Sequence, residues 1–284
     1  MKRRHLKMVT GTPPGRAGVP EINTTVAHPA RIYDYWLGGQ DNFRADRVAA
    51  RRAIRDYPGV RRAAQAQRAF LARAVGYLAA DAGIRQFLDI GTGLPTADNT
   101  HEVAQRVAPD SRVVYVDNDP LVLAHARALL TSSPQGATAH LGADLRDPGR
   151  ILEQAAATLD FTQPVAVLLV GILQLIPDAD EPHEIVKQLV AAVPAGSWLA
   201  ISHPASDVLK EAVTMARRLT KSMGPVTMRS LGAVTRFFDG LDLIPPGVVQ
   251  LHLWKPDGRA AGTDELIPAW CGVARKPDAP PGSA

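Results

Sequence analysis

Gln86-Phe-Leu-Asp-Ile-Gly-Thr-Gly93 is a short apolar run ending in an acid and two glycines, and Val113-Val-Tyr-Val-Asp117 is a second apolar run ending in an acid. Together they predict the first two strands of a nucleoside-binding α/β sheet. A carboxylate at the tip of the second strand can accept hydrogen bonds from both hydroxyls of a ribose. Gly91 and Gly93 let the backbone approach a ligand with no Cβ in the way. Asp89 and Asp117 therefore frame the question of which adenosine-containing molecule the chain takes.

Outward from this pair, β-type and helical runs alternate. Strands are expected over 86–90, 112–116, 138–141, 165–170 and 197–202, and helices over 98–107, 120–130, 148–159, 183–193 and 206–223. Such alternation implies right-handed crossovers and a parallel sheet. Asp119-Pro120 is a helix opening, with Asp as N-cap and Pro at the first helical position. Two β-type runs near the end, 248–254 and 270–275, flank Lys255-Pro-Asp-Gly258 and suit an antiparallel pair on a long hairpin loop. Seven strands result. Ahead of the sheet, helical spacing over 45–55 and from Val60 onward, broken at Pro58-Gly59, predicts a helical cap. The expected organisation is a flexible basic leader over 1–25, a cap or lid over 26–83, a ligand-binding α/β domain over 84–276 and a flexible tail over 277–284.

Composition narrows the class. The chain has 284 residues with 46% hydrophobic content, enough for a buried core. Its single cysteine, Cys271, can form neither an intramolecular disulfide nor a thiolate metal site alone, which points to a reducing cytoplasm. The longest strongly apolar run, 165–176, is 12 residues, too short to span a bilayer, and neither end reads as a membrane address. Net charge is +4, but five basic side chains and no acid fall within residues 1–18. The other 27 basic residues nearly balance 28 acids, so a nucleic-acid-binding face is not expected.

The glycine loop separates cofactors by what it lacks. A dinucleotide fingerprint wants a third glycine and free amides at the pyrophosphate. Here Pro95 has no N–H to give and Thr96 stands at the third glycine's place. S-adenosylmethionine (SAM) has no phosphate and fits better. Asp89 would attract its ammonium, Gly91, Thr92 and Gly93 would admit the methionyl part, and Asp117 with Asn118 would hold the ribose. Asp144 and Leu145, in Gly142-Ala-Asp-Leu-Arg146, would meet the adenine, and Gly171 would let backbone approach the transferred methyl. Asp144 reads equally as a turn residue ahead of Asp147-Pro148.

These residues support a resemblance. The strand order over 86–275 resembles the class I SAM-dependent methyltransferases, a Rossmann-like, mostly parallel seven-stranded fold with a C-terminal antiparallel hairpin. More narrowly, Ala30-Arg-Ile-Tyr-Asp-Tyr-Trp-Leu-Gly-Gly-Gln-Asp-Asn-Phe43, Phe87-Leu-Asp-Ile-Gly-Thr-Gly-Leu-Pro-Thr96 and Val114-Tyr-Val-Asp-Asn-Asp-Pro120 resemble an actinobacterial family known simply as S-adenosyl methyltransferase. The resemblance implies SAM as methyl donor, S-adenosylhomocysteine (SAH) as product and no assigned acceptor. Where such proteins often carry a histidine after the fourth strand, this chain has Gln174.

Methyl transfer asks mainly for alignment and water exclusion, because the sulfonium is already an activated leaving group. His203, at the end of the fifth strand, is the first candidate base; its alternative is a hydrogen-bonded histidine beside Pro204. Tyr33, Tyr35, Gln174 and Asp178 are positioning candidates, with Tyr35 also placed at the cofactor. Tyr33, Tyr35, Trp36 and Phe43 either fold over the cofactor as a lid or staple the N-terminal segment to the domain. Glu181 and Glu184 suit a helix opening. Eight histidines lack an i, i+4 pair, no Gly-x-Ser-x-Gly occurs, and Val170-Gly-Ile-Leu173 replaces the Asp/Asn-Pro-Pro-aromatic motif of base-amino methylation. The sequence thus points to a cytoplasmic SAM-dependent methyltransferase acting on a small-molecule acceptor. An NAD-dependent oxidoreductase and a SAM-binding protein without methyl transfer are its rivals, and oligomeric state is left open.

Overall fold

Residues 86–90 are buried at every position and pair on both sides, which makes this run, β1, a central strand. The computed structural model describes residues 22–256 and 266–278. The expected leader up to residue 21, most of the hairpin loop and the final six residues lie outside that range. Around β1 (Gln86–Ile90) the chain places β2 (Arg112–Asp117), β3 (Ala137–Gly142), β4 (Ala166–Val170) and β5 (Trp198–Pro204), followed by β6 (Asp242–Leu243), β7 (Val249–Gln250) and β8 (Ala269–Arg275). The sheet order is β3-β2-β1-β4-β5-β8-β6, with β7 also on β8. Strands β1 to β5 are parallel and β8 runs antiparallel to β5.

The helices are α1 (Pro29–Leu37), α2 (Arg44–Asp56), α3 (Val60–Ala80), α4 (Thr100–Val107), α5 (Pro120–Leu129), α6 (Pro148–Ala155), α7 (Pro182–Ala191), α8 (Lys210–Met223) and α9 (Leu231–Thr235). Strand alternation sends Leu88, Ile90, Val114, Val116, Val167 and Leu169 to one face, against Ile151 and Ala155 of α6 and Ile185 and Leu189 of α7. Phe87, Val113, Tyr115, Ala166 and Leu168 go to the other, against Phe70, Ala74 and Leu78 of α3 and Val103 of α4. Two covered faces explain why the parallel strands read as nearly continuous apolar runs.

One expectation fails at the C-terminal side. The run 248–254 is not a full strand: β7 holds two residues and passes into a 3-10 turn over Leu251–Leu253. A further two-residue strand, β6, precedes it, so the described residues form eight strands, not seven. Pro245 and Pro246 lie between β6 and β7, and a residue without N–H cannot extend the ladder. The antiparallel pairing with β8 still holds, at Val249–Cys271 and Gln250–Trp270.

The cap has one member beyond the expected segment. Ile32 of α1 and Ala49, Ala50 and Ala53 of α2 pack with Leu219, Met215 and Met223 of α8. Buried charge fastens this cap to the sheet. Asp46, fully buried, accepts from the Phe43 and His28 amides at 2.8 Å each. Arg31 lies between Asp46, at 3.8 Å, and Asp119 just past β2, at 3.3 Å, while His28 Nδ1 stands 3.0 Å from the same Asp119 carboxylate.

Candidate functional site

At the carboxyl ends of β1, β2 and β4 the chain encloses a cavity of about 480 Å³, walled by α1, α3 and α8. Ligands of open α/β sheets occupy this position because the strand order reverses there and the crossovers leave a crevice. Gly91 has φ +78° and donates its N–H to Val116 O at 2.8 Å. A Cβ on it would stand 2.6 Å from Ile172, so the turn after β1 packs against the segment after β4. Gly93 has φ +68° and a Cβ there would meet no protein atom within 4 Å. Thr92 Oγ1 lies 3.3 Å from both Asp89 O and Val116 O, tying the turn to the sheet.

Asp117 lines the cavity at 9% exposure. Its Oδ2 accepts from Gly93 N and its Oδ1 from Asp119 N, both at 2.9 Å. Burial raises its pKa, and the two amides oppose that shift. Each oxygen keeps a lone pair beyond its amide contact, so the group is oriented without being used up. Asn118 stands exposed at the rim.

Asp89 is more deeply set, at 4% exposure, and accepts from Thr100 Oγ1 at 2.6 Å. Burial pushes its pKa up to about 6, against the Thr100 bond and the Arg68 charge, which hold it down. Arg68 of α3 was not singled out in the sequence, where a lone arginine on an amphipathic helix gives no signal. Its Nη2 donates to Ala97 O and Asp98 O at 3.2 and 3.1 Å, and its Nε is buried on the cavity wall with no partner. Asp89 and Arg68 thus set an acid and a free N–H donor at one end of the cavity, complementary to an α-amino acid.

Asp144 and Leu145 also line the cavity. Asp144 Oδ1 accepts from Arg146 N at 2.9 Å, the turn alternative considered for it, while Arg146 reaches Asp180 Oδ2 at 2.6 Å. Leu145 is buried beneath, at 4% exposure. Gly171, φ +74°, faces Gln67, whose Nε2 would stand 2.1 Å from an added Cβ.

The aromatic segment divides between its two readings. Tyr33 and Trp36 line the cavity, with Tyr33 donating to Ala64 O at 2.9 Å and accepting from Gln67 Nε2 at 3.3 Å. Phe43 packs against Leu94, Leu121 and Val122 as a staple. Tyr35 is a correction: two residues along a helix from Tyr33, it turns away from the cavity. Its hydroxyl accepts from Arg51 Nε at 3.0 Å and its ring lies under Arg51 and Arg61.

His203 is a second correction. It is fully buried and absent from the cavity wall. Its Nδ1 lies 3.0 Å from Pro204 O and its Nε2 accepts from Arg229 Nη1 at 2.8 Å, which fixes a neutral ring. Burial, with the Arg229 charge beside it, drives its pKa down to about 3. It cannot collect a proton from an acceptor; it holds Arg229, which donates to Leu173 O, Ile176 O and Asp178 and so braces the loop after β4. Asp178 belongs to that brace. Glu181 and Glu184 sit at the opening of α7, as expected.

The helix expected over 206–223 forms as α8, but the sequence reading gave it no part in the site. Met215, Ala216, Leu219 and Met223 form one stripe of this helix and, with Pro225, Val226 and Met228 beyond it, close the cavity opposite β1. The signal was present as an apolar stripe on a helix otherwise rich in Lys and Arg.

Comparison with known proteins places the chain in a family. The family described as S-adenosyl methyltransferase matches residues 16–277. A solved DUF574 family protein from Streptomyces avermitilis is 44% identical, covering 90% of this chain and 100% of its own, with a TM-score of 0.88. A proposed methyltransferase from Thermobifida fusca is 40% identical over 91% of this chain and 98% of its own, with a TM-score of 0.85. No curated protein matches the chain. A match over nearly the whole length means that the chain belongs to the S-adenosyl methyltransferase family and is a SAM-dependent methyltransferase of the class I fold.

Proposed function

We propose that the enzyme methylates a small-molecule acceptor in the cytoplasm, holding SAM at the tips of β1, β2 and β3 and the acceptor between Gly171 and α8. The observation that carries this reading is the make-up of a single cavity: Asp89, Arg68, Asp117 and Asp144 line it from α3 and the tips of β1 to β3, and Met215, Leu219, Met223 and Met228 line it from α8 and the segment after it. SAM supplies an electrophilic methyl group, so the acceptor's electron pair forms the new bond while the C–S pair returns to sulfur as SAH leaves.

The chain's own residues bind, orient and dry the site. Asp117 offers its remaining lone pairs to a diol, and Gly93 leaves the space beside it open. Asp89 and Arg68 Nε would take the amino and carboxylate groups, two charged groups recognised by two charged partners in a buried setting. The Gly171 carbonyl accepts from Gln174 Nε2, which fixes the backbone just past β4, where Gly171 turns at φ +74°. Helices α1 and α2 act as a cap together with α8, excluding water from that half, while α3 belongs to the core on one face of the sheet. The single buried thiol, Cys271, fits a reducing compartment, and no helix among the described residues is long and apolar enough to cross a membrane.

Calorimetry with SAM, SAH and NAD tests the cofactor site directly. SAM and SAH are expected to bind and NAD not to; NAD heat without SAM heat overturns the reading. Asp117→Ala is expected to weaken SAH binding at least tenfold, the order of losing charged hydrogen bonds worth about 1.5–3 kcal/mol.

A further inference from the structure

Gln174 stands three residues beyond Gly171, on the wall of the cavity's apolar end. Its Nε2 donates to Gly171 O, which settles the orientation of the amide, and its backbone carbonyl accepts from Thr227 N at 2.8 Å. The remaining atom, Oε1, is buried with no partner. An unpaired buried carbonyl oxygen costs about 1–3 kcal/mol, and a ligand donor is the natural remedy at a cavity wall.

The neighbours decide what kind of ligand can bring that donor. Leu175, Ile176, Met215, Leu219, Met223 and Met228 surround this end of the cavity. The charged residues of the lining, His28, Arg68, Asp89, Asp117, Asp144 and Arg146, come from α1, α3 and the tips of β1 to β3. Arg229, buried beneath the loop after β4, pairs with the exposed Asp178 of that loop, and neither lines the cavity. Tyr33 is the one titratable group at this end; its hydroxyl already donates to Ala64 O, and burial holds it protonated. Arg146 Nη2 reaches Leu175 O at 3.3 Å but is paired with Asp144 and Asp180, and Arg68, whose charge is felt at Tyr33, also acts on Asp89; a carboxylate or an ammonium placed here would lose its hydration and find only charges that already face a carboxylate. Three thioethers beside Trp36 instead suit the edge or face of a ring.

We propose that the acceptor is an uncharged, mainly apolar ring compound with an O–H or N–H that donates to Gln174 Oε1. Gln174 then selects the acceptor by hydrogen bonding and takes no part in proton removal. This rests on the reading that SAM fills the opposite end.

Binding to the SAH-loaded enzyme tests it with matched probes. 2-Naphthol is expected to bind at least tenfold more tightly than 2-methoxynaphthalene, which lacks the donor, or indole more tightly than 1-methylindole; the pair that discriminates identifies the donor as O–H or N–H. The favoured probe is also expected to outbind 2-naphthoate and 2-naphthylmethylammonium by tenfold or more. Gln174→Leu should erase the preference for the donor in protein that still binds SAH; should that variant fail to fold, the wild-type comparison decides alone. Equal binding within both pairs, tighter binding of either charged probe, or no binding by any probe to enzyme that binds SAH overturns the proposal. Failure of SAH itself to bind overturns the cofactor reading instead.

Discussion

Asp89 lies in surroundings that disfavour its charge. Its folded pKa of about 6 lies above the ordinary carboxylate value near 4, so the folded state binds more protons between those two pH values. Stability contributed by this group therefore falls as pH rises through that window, and above it the charged form destabilises the fold by up to roughly 3 kcal/mol. Asp89→Asn keeps an acceptor for Thr100 and removes the charge. We expect it to melt higher than wild type at pH 8, to lose most of that advantage at pH 5, and to bind SAH more weakly. An equal difference at both pH values in thermal denaturation would refute the assignment. His203 makes the opposite case, a titratable group without chemistry. His203→Ala leaves Arg229 Nη1 without its buried acceptor and opens a void, so a loss of about 2–4 kcal/mol is expected in denaturant unfolding. The pH–rate profile should keep the same limbs; loss of a limb would return His203 to the reaction.

The turn after β1 shows how an element can be tuned for a ligand and not only for the fold. Gly91 and Gly93 share a positive φ, but a Cβ on Gly91 would strike Ile172 and one on Gly93 would enter open cavity. Gly91→Ala is thus expected to unfold at clearly lower temperature than Gly93→Ala, which carries only the backbone strain of about 1–2 kcal/mol. Gly93→Ala should still fold and lose SAH affinity at least tenfold; unaltered affinity would place the ligand elsewhere. Such turns were legible in the sequence because they are local, as was the opening of α5 at Asp119-Pro120, where Asp119 Oδ1 accepts from Leu121 N at 2.9 Å. Strands β1 to β5 fell within one or two residues of their expected ends for the same reason. What could not be read is set by contacts distant in the chain. The orientation of His203 depends on Arg229, 26 residues later, and the fragmentation of 248–254 depends on how β6 and β7 share one edge of β8. Tyr33 and Tyr35 differ only in helical phase, which the short α1 segment did not fix from spacing alone.

At the scale of the whole molecule, Arg68, Asp89, Asp117 and Asp144 enter the cavity from α3 and the tips of β1 to β3 while α8 supplies apolar wall, and that division dictates how the enzyme should respond to pH. The cap of α1, α2 and α8 closes over the sheet, pinned to the end of β2 by Arg31, His28 and Asp119. Among the described residues of the acceptor end no side chain is free to act as a base: His203 is sealed beneath Arg229 and the Tyr33 hydroxyl is engaged. Any proton that the acceptor must lose therefore goes to water before the encounter or after the transfer. It follows that the alkaline-side rise in kcat/KM belongs to the acceptor and not to the enzyme. Two acceptors of one scaffold whose own pKa values differ by about two units should have midpoints separated by about two units, because the ionised fraction of each sets its reactive concentration. Asp89 adds an acid limb near pH 6 common to both, seen in kcat/KM for SAM and in SAH affinity, since the carboxylate must be charged to attract an ammonium. Profiles recorded side by side separate these contributions. A midpoint that moves with the acceptor above a fixed limb near 6 is the expected pattern, whereas a single fixed midpoint for both acceptors would mean that a side chain of the cavity takes the proton after all.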